Sequence, residues 1–136
     1  MLKYKQGYWY QTTEGHSLQL PFRCQNSTSD GHWVALRDGW LFTRFGYAWD
    51  GASFVLFRWF GTPRAWIVPS LCHDALYQLI REGKLGREYR DDVDRLFYEL
   101  LRARGVSWLV ATVAYYCVRI GGNFAVRTTN PVREAV

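Results

Sequence analysis

Ser70-Leu71-Cys72-His73-Asp74-Ala75-Leu76-Tyr77 places a histidine, an aspartate and, one turn on, a tyrosine inside an otherwise apolar helical run. At about 100° per residue, Leu76, Ile80, Tyr77, Leu79 and Cys72 share one broad arc with His73 near its middle, so the imidazole is expected to face inward. Asp74 falls at the edge of that arc beside Ser70 and Arg81, within reach of solvent or of a polar cleft. A buried imidazole without partners for its ring nitrogens costs about 1–3 kcal/mol, so another part of the chain should be aimed at His73. A satisfied core histidine and a functional one both fit this stretch taken alone.

The next helix supplies a partner. From Arg87 to Arg104, Tyr89, Val93, Leu96, Phe97, Leu100 and Leu101 recur at three- and four-residue steps, and Gly105 follows where left-handed helix caps are common. Asp91 points away from this stripe, whereas Asp92 and Asp94 flank it. The short connection Glu82-Gly83-Lys84-Leu85-Gly86 favours an antiparallel pair of helices, in which Asp94 can accept a hydrogen bond from His73. Arg90, Asp91, Asp92 and Arg95 read most simply as a solvated face with local charge pairs.

Working outward, the first sixty residues change character. Gly7 to Thr12, Ser17 to Phe22, Trp33 to Arg37 and Trp40 to Phe45 are short runs rich in aromatic and β-branched residues, parted by Glu14-Gly15, Ser27 to Gly31 and Asp38-Gly39. Asp38-Gly39 is a good two-residue hairpin turn. Thr62-Pro63 suits a helix start, and Pro69 is expected to break or kink that helix just before His73. Trp108 to Ile120 is an apolar segment of 13 residues, interrupted by Thr112 and Arg119 and too short to span a bilayer, which takes about 20. It reads as a buried core helix capped by Ser107 and stopped by Gly121-Gly122. The expected fold is therefore α+β: a small N-terminal antiparallel β-sheet, then about three packed α-helices, the first two an antiparallel pair carrying His73 and Asp94. Residues 1–126 are expected to form one domain and 127–136 a flexible or partner-docked tail.

Four ordered blocks carry a resemblance. Trp49-Asp50-Gly51-Ala52-Ser53, His73-Asp74-Ala75-Leu76-Tyr77, Asp94-Arg95-Leu96-Phe97 and Val118-Arg119-Ile120-Gly121-Gly122 together resemble a phage and prophage family of unknown function, over about Tyr47 to Gly122. Val93 stands where that family usually has alanine, and the family brings no established activity. The order His-Asp-x-x-Tyr followed by an aspartate-bearing helix also looks like the catalytic helix pair of the phospholipase A2 superfamily. That likeness implies His73 as the base that activates water, Asp94 as the group fixing its tautomer, and Tyr77 as a buttress for Asp94. It further implies Ca2+ at Asp74, with backbone carbonyls from Tyr47 to Ser53. The glycine-rich calcium loop and the disulfide frame of the secreted enzymes are missing here. Asp50 suits either a metal ligand or ordinary Asp-Gly turn chemistry.

Composition narrows the rest. Hydrophobic residues make up 49% of the 136 positions, which permits one real core and argues against disorder. Cys24, Cys72 and Cys117 are odd in number and form no CxxC pair, so neither a disulfide scaffold nor a thiolate zinc site is suggested. Cys72 and His73 diverge by about 100° on a helix, which disfavours a Cys–His nucleophile pair. The net charge of +5 comes from 14 arginines and three lysines spread along the chain. Without a compact basic run, nucleic acid is a weaker expectation than an anionic membrane or acidic polymer. Aromatic residues exceed what one face of four short strands can bury. Phe54, Phe57, Trp59 and Phe60 form an amphiphilic segment that suits a lipid or membrane interface or a phage or host protein, and equally suits packing over the helices. Met1-Leu2-Lys3-Tyr4-Lys5-Gln6 has no secretory character, so a host-cytoplasmic protein, with virion incorporation as a further option, is expected. Two functions follow: a metal-assisted hydrolase of ester or lipid substrates, or a non-catalytic virion, tail-associated or host-interaction protein whose His–Asp network is structural.

Overall fold

Alternating inward and outward residues build the sheet, and two helical stripes build the layer over it. The computed structural model describes residues 4–5, 10–22, 27–49 and 63–127, with side chains described for 12–22, 27–47 and 63–121. The strands are β1 (Tyr4–Lys5), β2 (Tyr10–Thr12), β3 (His16–Gln19), β4 (Thr28–Ser29), β5 (Val34–Arg37), β6 (Trp40–Thr43) and β7 (Ala48–Trp49). The helices are α1 (Ile67–Arg81), α2 (Arg90–Ala103) and α3 (Trp108–Arg127). The fold is α+β. A four-stranded antiparallel sheet, in the order β3-β6-β5-β4, precedes three helices, and β1-β2-β7 form a second, smaller antiparallel sheet.

The β5–β6 hairpin turns at Asp38-Gly39, both in the left-handed region (φ 50° and 81°), and Arg37 pairs with Trp40 across it. This is the two-residue turn that the sequence predicts, and it fixes the register. Val34, Leu36 and Leu41 consequently point to the core, while Trp40 and Phe42 are each 40% exposed and Phe45 is 66% exposed. Some of the aromatic excess thus lies on the surface. Strands β1, β4 and β7, two residues each, carry no periodic signal and are not anticipated by the sequence.

Two apolar clusters define the layers. Leu20, Val34, Leu36, Leu41 and Tyr47 pack against Leu71, Cys72, Ala75, Leu76, Leu79 and Ile80 of α1 and against Val93 and Leu96 of α2. On the far side, Trp66, Phe97 and Leu101 enclose Ala111 and Ala114 of α3. A side-chain bond from Gln78 Nε2 to Asp30 Oδ2 (2.7 Å) adds a polar tie between α1 and the β4–β5 loop. The other oxygen of Asp30 accepts from the amides of His32, Trp33 and Val34.

Three expectations need correction. Pro69 neither breaks nor kinks the His73 helix. It is the third residue of α1, after a 3-10 turn at Arg64–Trp66, and a first-turn residue has no intrahelical partner for its nitrogen. Gly121-Gly122 do not stop α3, which continues to Arg127. A helical glycine costs about 1 kcal/mol relative to alanine, and that does not by itself end a helix. Finally, α3 is not a buried core helix: Ala111 and Ala114 are buried, but Leu109, Val113, Tyr116 and Ile120 are exposed. Ser107 does cap it, accepting the Val110 amide at 3.3 Å. Asp50, Phe54, Phe57, Trp59, Phe60 and Thr62 lie outside the described residues.

Helix α2 ends in a Schellman motif. The Gly105 amide bonds to the Arg102 carbonyl and the Val106 amide to the Leu101 carbonyl, with Gly105 at φ +87°. A Cβ at Gly105 would meet no atom within 4 Å, so its substitution strains the backbone alone. Gly105→Ala is expected to lower stability by about 1–2 kcal/mol in urea unfolding without changing the slope of the transition.

Candidate functional site

Chain direction brings the site together. Helices α1 and α2 run antiparallel, so that His73 meets Asp94 and Phe97, while Tyr77, one turn on, meets Asp94 and Arg90. His73 Nε2 lies 2.8 Å from Asp94 Oδ1, and the Tyr77 hydroxyl donates to that same oxygen at 2.5 Å. Asp94 is fully buried and its carboxylate only accepts, so Nε2 carries the proton. The ring is held between aromatic neighbours, 4.1 Å from the Tyr77 ring centre and 5.1 Å from that of Phe97.

The second oxygen of Asp94 is closed from the third helix. Arg119 Nη1 donates to Asp94 Oδ2 at 2.9 Å and also pairs with Asp91, whose side chain is 72% exposed. Arg90 Nε donates to the Tyr77 hydroxyl at 3.2 Å, and its Nη2 donates to the Arg119 carbonyl. Residues from all three helices thus converge on one carboxylate. The expectation of a solvated face fails for Arg90, whose side chain is only 16% exposed. The signal for it was its position four residues before a buried acid. Arg119 interrupts an apolar run in the sequence, and a single charge inside such a run is itself a reason to seek a buried partner.

His73 Nδ1 faces the other way. It lies 3.8 Å from Asp74 Oδ1, too long for a direct hydrogen bond and close enough for charge to act, and the Asp74 side chain is 34% exposed. The ring thus links a sealed carboxylate on one side to a half-exposed one on the other. Burial alone opposes protonation of His73, but the Asp74 and Asp94 carboxylates outweigh it and raise the imidazole pKa above 6.5. Burial likewise works against ionising Asp94, yet the hydrogen bonds from His73 and Tyr77 and the Arg119 guanidinium hold it below the usual carboxylate value. Burial and the hydrogen bond to the Asp94 carboxylate push the Tyr77 hydroxyl well up, so it stays a donor. Cys72 is buried and its thiol is pushed up to about 12, which removes it as a nucleophile.

Tyr47, immediately before β7, is buried in the cluster that also holds Leu71, Cys72 and Ala75 of α1, and burial, followed by the Asp74 charge, pushes its hydroxyl pKa up. Its carbonyl accepts from the Thr12 amide at 2.9 Å and is engaged in the sheet. Among the described residues, no group of three His, Cys, Asp or Glu side chains forms a metal cage. Asp74 supplies one carboxylate, and Asp50 lies outside the described residues.

No protein-family model matches the chain, no curated protein matches it, and no solved structure matches it. No helix among the described residues is long and apolar enough to cross a membrane.

Two outcomes are expected. Asp94→Ala leaves His73 Nε2 and the Tyr77 hydroxyl without their acceptor and should cost about 3–5 kcal/mol by chemical denaturation, whereas Asp91→Ala removes an exposed pair and should cost under about 1 kcal/mol. The stabilising effect of the raised His73 pKa is fully present below 6.5 and lost as pH rises through the folded value. That of the lowered Asp94 pKa is present above 3.8 and lost as pH falls through the folded value. The stability gap between wild type and His73→Gln should therefore be widest between 3.8 and 6.5, measured by urea unfolding across a pH series.

Proposed function

We propose that the chain is a phage- or prophage-encoded hydrolase of carboxylic esters, with lipid esters as the favoured class. The observation that carries this reading is the two-sided environment of His73: Nε2 is bonded to sealed Asp94, and Nδ1 is turned toward half-exposed Asp74. In neutral His73, Nδ1 is the free lone pair. It takes a proton from a water molecule, the water oxygen bonds to the ester carbonyl carbon, and the imidazolium then protonates the departing alkoxide. Asp94 keeps Nε2 protonated and stabilises the imidazolium, as Tyr77 and Arg119 hold Asp94 in place. Calcium at Asp74, with Asp50 as second ligand, belongs to the same proposal. One described carboxylate does not by itself make a cage.

A second reading rests on the completeness of the Asp94 network. With both carboxylate oxygens occupied and no exposure, the network suits a lock between three helices in a non-catalytic virion, tail-associated or host-interaction protein.

Hydrolysis of a p-nitrophenyl ester and of phospholipid vesicles, with calcium or EDTA, separates the two. The hydrolase reading expects wild-type turnover that rises with pH through a midpoint above 6.5, and loss of at least about 100-fold in a folded His73→Gln variant. Absence of wild-type turnover with either substrate class, or equal turnover by His73→Gln, overturns it. Calcium at Asp74 further expects a higher melting temperature with calcium than with EDTA, an increase that Asp74→Asn abolishes.

A further inference from the structure

We propose that α3 is a self-association surface through which two copies pair as antiparallel helices. Leu109, Val113, Tyr116 and Ile120 are 63, 54, 60 and 67% exposed and follow one another at steps of four, three and four, the spacing of a helix–helix seam. The seam lies opposite the face that packs on the protein's own core, where Ala111 and Ala114 are buried and Val118 is partly buried. Val110, 46% exposed, and Cys117, also exposed, flank it on one edge. Together these side chains present roughly 600 Å² per copy, at the top of the range for the largest patch on a monomer and near the ~800 Å² per partner of a standard interface.

The occupant follows from the pattern. No charged residue occurs from Trp108 to Val118. Arg119 is the one charged side chain described on α3, and it is committed inward to Asp91 and Asp94. Over its described side chains the helix therefore lacks the cationic rim of a membrane-surface helix. The seam is instead self-complementary. A two-fold axis between Ala114 and Tyr115 sets Leu109 of one protomer against Ile120 of its partner, and bulky Tyr116 against smaller Val113. Val110 of one protomer then lies beside Cys117 of its partner, and no like charges meet. This inference is independent of the catalytic proposal.

Sedimentation velocity of the full chain at tens of micromolar tests it. The expected result is a dimer, twice the 16.0 kDa chain mass, that Val113→Glu converts to a monomer with an unchanged circular-dichroism spectrum. Under mild oxidation, Val110→Cys should give a disulfide-linked dimer that Cys117→Ser in the same chain prevents. A monomeric wild type overturns the proposal, whether or not it co-floats with phosphatidylglycerol vesicles. So does a Val113→Glu variant that remains dimeric. A dimer in which Val110→Cys does not cross-link overturns the antiparallel register.

Discussion

One buried carboxylate organises the helical half of this protein. Asp94 has no solvent exposure, and an isolated charge in that position would be prohibitive. It is tolerated because His73 and Tyr77 from α1 and Arg119 from α3 all donate to it. Each of those groups is also constrained by the carboxylate: the imidazole has its tautomer set, the phenol is kept protonated, and the guanidinium draws α3 onto α2. The apolar contacts of Phe97 and Leu101 with Ala111 and Ala114 supply the area for that packing, and the small alanines permit the close approach. The polar network adds specificity to that packing, because this alignment brings all three donors to one carboxylate.

The same network accounts for the asymmetry of His73. Its inner nitrogen is bonded to the sealed Asp94 carboxylate and its outer nitrogen faces the partly exposed Asp74 carboxylate. The raised pKa arises from the two carboxylates, which outweigh the burial that opposes the charged ring.

Much of this architecture was legible in the sequence, and the failures share a cause. Helical periodicity placed His73 inward and matched it to Asp94, since two stripes joined by a short loop with a glycine cap leave little choice of alignment. Asp38-Gly39 disclosed the hairpin and its register. Periodicity cannot tell which apolar face of a helix meets its own core. Trp108 to Ile120 carries apolar residues on every face despite Thr112 and Arg119, so its sequence reads as buried, although its alanine face does the packing and its leucine–tyrosine–isoleucine face stays exposed. Arg90 and Arg119 escaped because long basic side chains usually reach solvent, and here the acid that holds them is itself hidden by the fold. For Pro69 the helix start decides the outcome: α1 begins at Ile67, four residues later than Thr62-Pro63 suggests, and a proline in the first turn removes nothing that the hydrogen-bond ladder uses.

The most direct test of the central claim is the protonation state of His73 observed by two-dimensional 15N–1H NMR through a pH titration. The account requires the Nε2-protonated tautomer in the neutral ring and a pKa above 6.5, both moving toward free-imidazole behaviour in Asp94→Asn. A neutral ring protonated on Nδ1, or a pKa below 6.5 in the wild type, would contradict it, because Asp94 would then not be the group that orients and charges His73.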